Sequence, residues 1–146
     1  MPEKPEYNTN LAAEYHVMSI LHRQGMPAFL SVGNKKAIDI LIEDGPNSFT
    51  MVDVKGLAGK SNWPVDNVKF TSDRHFLVLV CFNGKIANPD VVPEVYVVPA
   101  TPENRDKLVY DAPGGRSVIP LGRMRKPKHK KAFGNAWGLL RLTATL

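Results

Sequence analysis

Two acidic residues on a predicted β-hairpin have the types and spacing that could bind a divalent cation. Asp39 and Asp53 lie on two β-rich runs, Ala37–Ile42 and Phe49–Lys55. A cluster of Gly, Pro, Asn and Ser separates the runs and predicts the turn of a hairpin. Carboxylate oxygens are the ligands that Mg²⁺ prefers in proteins, so the pair is a candidate for metal chemistry.

The expected register of this hairpin brings the two carboxylates together. Strand alternation places Asp53 and Lys55 on one face. If Ile42 pairs with Phe49, the antiparallel register places Asp39 near Asp53 on the same face. Two carboxylates facing each other in an otherwise apolar hairpin are costly unless a cation lies between them. The pattern therefore predicts a cation site on the hairpin.

A third carboxylate, Glu14, interrupts the apolar face of a predicted helix. Capping-type residues precede the segment Leu11–Gln24, and Gly25 follows it. At helical spacing Glu14 falls inside the apolar arc, where a charge violates the expected pattern. Such violations mark functional sites, although a carboxylate at the edge of the arc that pairs with a basic residue would give the same pattern.

These segments resemble the PD-(D/E)xK nuclease superfamily, whose fold is shared by many restriction endonucleases. The resemblance spans roughly Leu11 to Leu140 and rests mainly on Glu14 in Leu11–Glu14, Asp39 in Gly33–Ile40, and the run Val52–Gly56. Ile38 stands where the name-giving proline is found, and the second acid is Asp53 rather than a glutamate. The strand Phe76–Phe82, the segment Val95–Pro99 and the C-terminal Asn135–Trp137 are similar to small bacterial members.

The resemblance implies metal-dependent hydrolysis of phosphodiester bonds in DNA, with Mg²⁺ or Mn²⁺ as the cofactor. It assigns catalytic roles to Glu14, Asp39, Asp53 and Lys55. Asp39, Asp53 and the backbone carbonyl of Val54 would bind the metal, and Glu14 would hold a second metal or a metal-bound water. Lys55 would orient or help deprotonate the attacking water and offset charge on the phosphate.

The distribution of charge predicts a polyanionic partner. Residues 1–111 carry eleven Lys and Arg against fourteen Asp and Glu, a net −3, whereas the remaining residues carry eight positive charges and no negative one. Candidate nucleic-acid contacts are Lys35, Lys36, Lys60, Trp63, Arg123, Arg125, Lys126, Lys128, Lys130 and Lys131. Trp63 could stack on a base or cap the core, and the turn lysines could simply be solvated.

The predicted elements favour an α/β fold, with a restriction-endonuclease-like mixed β-sheet core flanked by helices. The chain is predicted to be a single domain, residues 1–146, with a basic C-terminal segment at residues 116–131. Its run His75–Phe82 is nearly all apolar, which is typical of a strand buried on both faces. Pro127 should keep the basic segment from being one continuous helix, so an extended or looped arm is expected.

Composition narrows the remaining function classes. The single cysteine, Cys81, excludes an internal disulfide and a multi-cysteine zinc site, and is expected to be a buried inert thiol. No apolar run approaches a membrane span and no secretory leader precedes the helix, so a cytoplasmic protein without a membrane partner is expected. A homodimer is also expected, because cutting both strands of a DNA duplex requires two active sites. A nucleic-acid-binding module without activity and a protein–protein adaptor on the same fold stay open as alternatives.

Overall fold

The computed structural model describes residues 7–31 and 39–144, which form an α/β fold around a mixed five-stranded sheet. Lys35 and Lys36 lie outside the described residues, as does the predicted strand start at residues 37 and 38. The elements follow one another in the order α1 (Thr9–Arg23), β1 (Ala28–Leu30), β2 (Ile40–Gly45), β3 (Ser48–Leu57), β4 (Asn62–Pro64), β5 (His75–Cys81), β6 (Glu94–Pro99), α2 (Pro102–Leu108), β7 (Tyr110–Asp111), β8 (Ser117–Pro120), α3 (Leu121–Met124), α4 (Pro127–Phe133) and α5 (Gly138–Ala144).

The main sheet has the strand order β1-β2-β3-β5-β6. Its central pair, β3 and β5, is parallel, and the other neighbours are antiparallel. All seven residues of β5 are buried, because the strand lies between β3 and β6 and has a hydrophobic core on each face. This confirms the prediction for the apolar run.

The two faces of the main sheet are covered by different elements. On one face α1 packs through Ala13, Val17 and Leu21 against Val52 and Val54 of β3. The opposite face carries a second core, which includes Leu77 and Leu79 of β5 and residues of β4, β8 and α3. A small antiparallel sheet, β4-β8-β7, belongs to this second side. The sequence pattern did not indicate that sheet.

The hairpin of β2 and β3 forms with a register that differs from the expected one. Ile42 pairs with Thr50 rather than with Phe49, and an irregularity between Glu43 and Gly45 absorbs the extra residue before the turn. Gly45 has φ of +151° and Asn47 has φ of +58°, a backbone conformation that these residue types tolerate. The ladder between β2 and β3 ends at the pair Ile40–Val52, and the amide of Asp39, the residue before β2, donates to the Val52 carbonyl at 3.0 Å.

Helix α1 begins where the capping residues predict. The Asn8 side chain accepts a hydrogen bond from the Leu11 amide at 3.1 Å, and Gly25 follows the helix with φ of +77°. Helix α2 is capped in the same way by Thr101, which accepts from the Asn104 amide at 3.3 Å. Local side-chain chemistry therefore fixes both helix starts.

The start of α1 lies directly over Gly56 at the end of β3. A Cβ atom at position 56 would lie 3.0 Å from the Thr9 carbonyl oxygen and 3.1 Å from the Ala13 Cβ. We expect Gly56→Ala to destabilise the fold by about 1–3 kcal/mol, because the helix must move away from the sheet. Gly59→Ala is the matched control, since a Cβ at position 59 meets nothing within 4 Å. Urea denaturation measures both, and equal stabilities would contradict the prediction.

Candidate functional site

The structure brings Asp39 and Asp53 together on the hairpin. Oδ2 of Asp39, at the start of β2, accepts a hydrogen bond from the Val54 amide at 2.7 Å. Asp53 lies opposite on β3 and is only 2% exposed. Asp53 and Lys55 project from the face of the sheet opposite α1, because they alternate with Val52 and Val54, which pack against that helix.

Asp39 has a raised pKa. Burial is the largest cause, and the nearby charge and close approach of Asp53 raise the pKa further. The Val54 amide and the Lys55 ammonium act in the opposite direction. A carboxyl whose pKa is raised on folding gives stability below its ordinary pKa of 3.8 and loses it as pH rises through the folded pKa. At neutral pH the charged site therefore costs stability, and a bound cation would offset that cost.

His75 is a site residue that the sequence analysis missed. Its ring is 7% exposed, and its Nε2 lies 3.3 Å from Oδ2 of Asp53. No hydrogen bond of good geometry satisfies this nitrogen. His75 begins β5, which pairs in parallel with β3, and only knowledge of that long-range pairing could have placed it beside Asp53.

Glu14 is positioned differently from the other predicted acids. It is half-buried on α1, whose apolar side packs on the Val52–Val54 face of the sheet, whereas Asp53 and Lys55 project from the other face. Within residues 7–31 and 39–144, no three His, Cys, Asp or Glu side chains converge in a way that could hold a metal ion. Of the three predicted acids, Asp39 and Asp53 are the two whose carboxyl groups interact.

The side chain of Lys55 lines a polar cleft next to the carboxylates. Its Nζ donates to Oδ1 of Asn67 at 3.0 Å. The cleft has a volume of about 490 Å³, and its lining includes Asn10, Asn62 and Arg116. A larger cleft of about 710 Å³, between residues 58–59 and 84–89, contains no acidic side chain. The smaller cleft adjoins the Asp39 and Asp53 carboxylates through Lys55, which lies two residues after Asp53 on β3.

Trp63 does not have the predicted stacking role. The indole is fully buried and its Nε1 donates to the Val80 carbonyl at 3.1 Å. Its ring lies edge-on to Tyr96 with the centroids 6.2 Å apart. The residue belongs to the core, the other function considered for it, and presents no face to a base. Lys60, three residues earlier, is exposed.

From Leu121 on, the basic C-terminal segment folds into two short helices, α3 and α4, rather than an extended arm. Pro127 begins α4, so it ends the preceding turn as predicted, but the residues after it continue as a helix because proline is tolerated at the first helical position. The buried His129 joins α4 to α3, its Nδ1 lying 2.9 Å from the Arg123 carbonyl. The exposed lysines of the segment are Lys126, Lys128, Lys130 and Lys131.

Two arginines of this segment are committed to contacts within the chain. Arg123 Nη1 donates to the Leu108 carbonyl at 3.1 Å. Arg125 forms a forked pair with Glu94, with distances of 2.8 and 3.0 Å, and also bonds Asn83. These bonds anchor the segment to the end of α2 and to β6, so among residues 121–131 the four lysines are the candidates for phosphate contact.

The Glu94–Arg125 pair makes stability depend on pH. The Arg125 hydrogen bonds lower the pKa of Glu94 from 4.5 to about 2. A depressed carboxyl pKa gives stability above pH 4.5 that is lost as pH falls toward 2. Because the pair is partly exposed, we expect a loss of about 1 kcal/mol or less. Urea denaturation across this range should show a shallower decline for Glu94→Gln than for the wild type, and parallel declines would contradict the assignment.

The single cysteine of the chain, Cys81, is the last residue of β5. Cys81 is fully buried, as predicted, and burial raises the pKa of its thiol. The described residues contain no helix long and apolar enough to cross a membrane.

In comparisons with known proteins, no family model, curated protein or solved structure matches the chain.

Proposed function

We propose that the chain is a metal-dependent nuclease of the restriction-endonuclease-like class that hydrolyses phosphodiester bonds in DNA. The observation that carries the proposal is the closeness of the Asp39 and Asp53 carboxyl groups, with Lys55 two residues after Asp53 on the same face of β3. Buried carboxylates in mutual contact bind cations strongly, and Mg²⁺ is commonly held by one or two carboxylates that share it with water and substrate phosphate.

The donor set fits such a cation. One oxygen of each carboxylate has a protein neighbour, Asp39 Oδ2 with the Val54 amide and Asp53 Oδ2 with His75 Nε2. The other oxygen of each would bind the metal. The N–H and C=O of one strand residue point to the same side, so the Val54 carbonyl also faces the Asp39 side, which supports its expected part in binding. Mg²⁺ or Mn²⁺ would supply an activated water and polarise the phosphoryl oxygen.

The side chains around the cation have separate tasks in the proposed reaction. Asp39 and Asp53 would bind the cation, and the burial of Asp53 limits its contact with bulk water. Lys55, held by Asn67, presents its ammonium beside the carboxylates, where it can orient the attacking water and offset negative charge on the phosphate. Glu14 lies on α1, which packs on the other face of the sheet, and would hold a second metal or a metal-bound water.

The test is incubation with supercoiled, branched and single-stranded DNA in Mg²⁺ or Mn²⁺, with EDTA as the control. Metal-dependent cleavage of any of these substrates supports the proposal. Binding without cleavage would favour the nucleic-acid-binding alternative, for which the exposed lysines of α4 are the supporting observation. If the chain neither cleaves nor binds DNA, the protein–protein adaptor is the alternative that remains.

A further inference from the structure

The cleft beside Lys55 is lined by groups that donate hydrogen bonds. Asn10 Oδ1 accepts from the Gly56 amide at 3.2 Å, and Asn67 Oδ1 accepts from Lys55 at 3.0 Å. Because each of these amide oxygens already accepts a hydrogen bond, the NH₂ group of each asparagine is the group that can donate to a ligand. Together with the Lys55 ammonium and the Arg116 guanidinium, they make the lining suited to an anion.

Arg116 is held in a defined orientation at the edge of this cleft. Its Nε donates to Oδ2 of Asp66 at 3.1 Å, and the other carboxylate oxygen accepts from the Ser117 amide at 2.7 Å. The Ser117 amide is the main cause of the lowered pKa of Asp66, which therefore stays charged. Among the described residues no hydrogen bond is found for the terminal NH₂ groups of Arg116, whose side chain is 70% exposed.

Asp66 does not cancel the attraction of the cleft for an anion. The lining holds two cations, Lys55 and Arg116, against this one carboxylate. Both carboxylate oxygens of Asp66 already accept bonds from the protein, so the carboxylate serves to fix the guanidinium. A guanidinium fixed through Nε still offers the planar pair of donors that matches two phosphate oxygens.

We propose, on the basis of the proposed nuclease function, that this cleft binds the backbone of the nucleic-acid strand next to the bond that is cut, with Arg116 as the phosphate-binding residue. The volume of about 490 Å³ suits a nucleotide-sized group rather than a lone anion. Lys55 lies at the boundary between the cleft and the carboxylates, so a strand that fills the cleft leads directly to the cation site.

A nucleic-acid strand in this cleft would follow a different path from a strand bound along the exposed lysines of the C-terminal segment. Helix α4 packs against β6, and β6 is separated from β3 by β5. With neighbouring strands about 4.8 Å apart, the α4 side of the sheet is roughly 10 Å from β3. The lysines of α4 can add long-range attraction, but Arg116 is the cation that shares a cleft with Lys55.

The experiment measures binding of a short fluorescein-labelled oligodeoxynucleotide, single-stranded and duplex, over a salt series in EDTA. Arg116→Gln should weaken binding about tenfold and lower the duplex salt slope by about one. Arg116→Lys should keep the salt slope and recover part of the affinity, because it retains the charge and loses the fork. Arg105→Gln is the matched control, since Arg105 forms a similar exposed pair with Asp111 outside the cleft.

Unchanged binding by Arg116→Gln, or an equal loss in the Arg105 control, would overturn the inference. So would a failure of the wild type to bind either oligonucleotide. A thermal melt of each variant checks folding, and the exposed Arg116 pair should contribute little to it. Because binding is measured without metal, it is independent of cleavage. If the wild type cleaves DNA and Arg116→Gln binds DNA normally, only the inference about the cleft is refuted. If the protein binds DNA but does not cleave it in Mg²⁺, only the proposed function is refuted.

Discussion

Asp53→Asn should abolish cleavage while leaving the fold intact. The carboxylate is 2% exposed and lies opposite Asp39, so its replacement removes one of two cation ligands without changing the shape of the side chain. Loss of about 4 kcal/mol of metal-derived transition-state stabilisation corresponds to a rate roughly a thousandfold lower. The initial rate of nicking of supercoiled DNA in Mg²⁺ measures this.

The same variant should behave differently from the wild type in a thermal melt. Asp53 raises the pKa of Asp39, so its neutralisation removes a repulsion, and stability in EDTA should be equal or slightly higher. Mg²⁺ or Mn²⁺ should raise the Tm of the wild type and not that of Asp53→Asn, since a ligand stabilises only a state that binds it. Glu43→Gln removes an exposed charge from the same hairpin and should keep both metal response and cleavage. A wild type whose Tm ignores millimolar metal would count against the site.

Lys55→Ala should slow cleavage by about a hundredfold to ten-thousandfold and change DNA affinity by only a few-fold. Proton transfer and charge stabilisation by one positioned side chain have effects of that size on rate. The Lys55 ammonium also lowers the pKa of Asp39, so its removal should move the acidic limb of the pH–rate profile, where Asp39 must be charged, to higher pH.

Lys107→Ala is the matched control for the Lys55→Ala change. Lys107 is an exposed lysine on α2 and should leave both the rate and the pH profile unchanged. Single-turnover rates over a pH series, with DNA affinity measured in parallel in EDTA, separate chemistry from binding. An affinity loss as large as the rate loss would make Lys55 a phosphate contact and nothing more.

Local chemistry explains which parts of the fold could be read from the sequence. The start of α1 follows from Asn8 and its end from Gly25, and the burial of β5 follows from its uninterrupted apolar run. Strand alternation alone placed Asp53 and Lys55 on one face. The hairpin was expected correctly, but its register was wrong by one residue because a bulge cannot be seen in the hydrophobic pattern.

Long-range pairing explains what the sequence could not show. The strands of the small sheet have two to four residues, which is too short for a recognisable period, and β4 pairs with β8, which is distant in the chain. His75 meets Asp53 only because β3 and β5 are parallel neighbours. The burial of Trp63 depends on the same tertiary packing. Helix α4 formed where an arm was expected, because proline is tolerated at the first helical position, lysine and alanine favour helix, and His129 contacts the preceding helix.

The complete burial of β5 has a consequence for the chain before it folds. From Phe76 to Cys81 the strand has no charge, proline or glycine, the composition from which self-associating segments are built. Its protecting neighbours come from both directions in sequence, β3 before it and β6 after it, so a nascent chain exposes one edge until residue 99 has been synthesised. Intermolecular strand pairing then competes with folding, and the recovery of native protein after dilution from denaturant should fall as chain concentration rises.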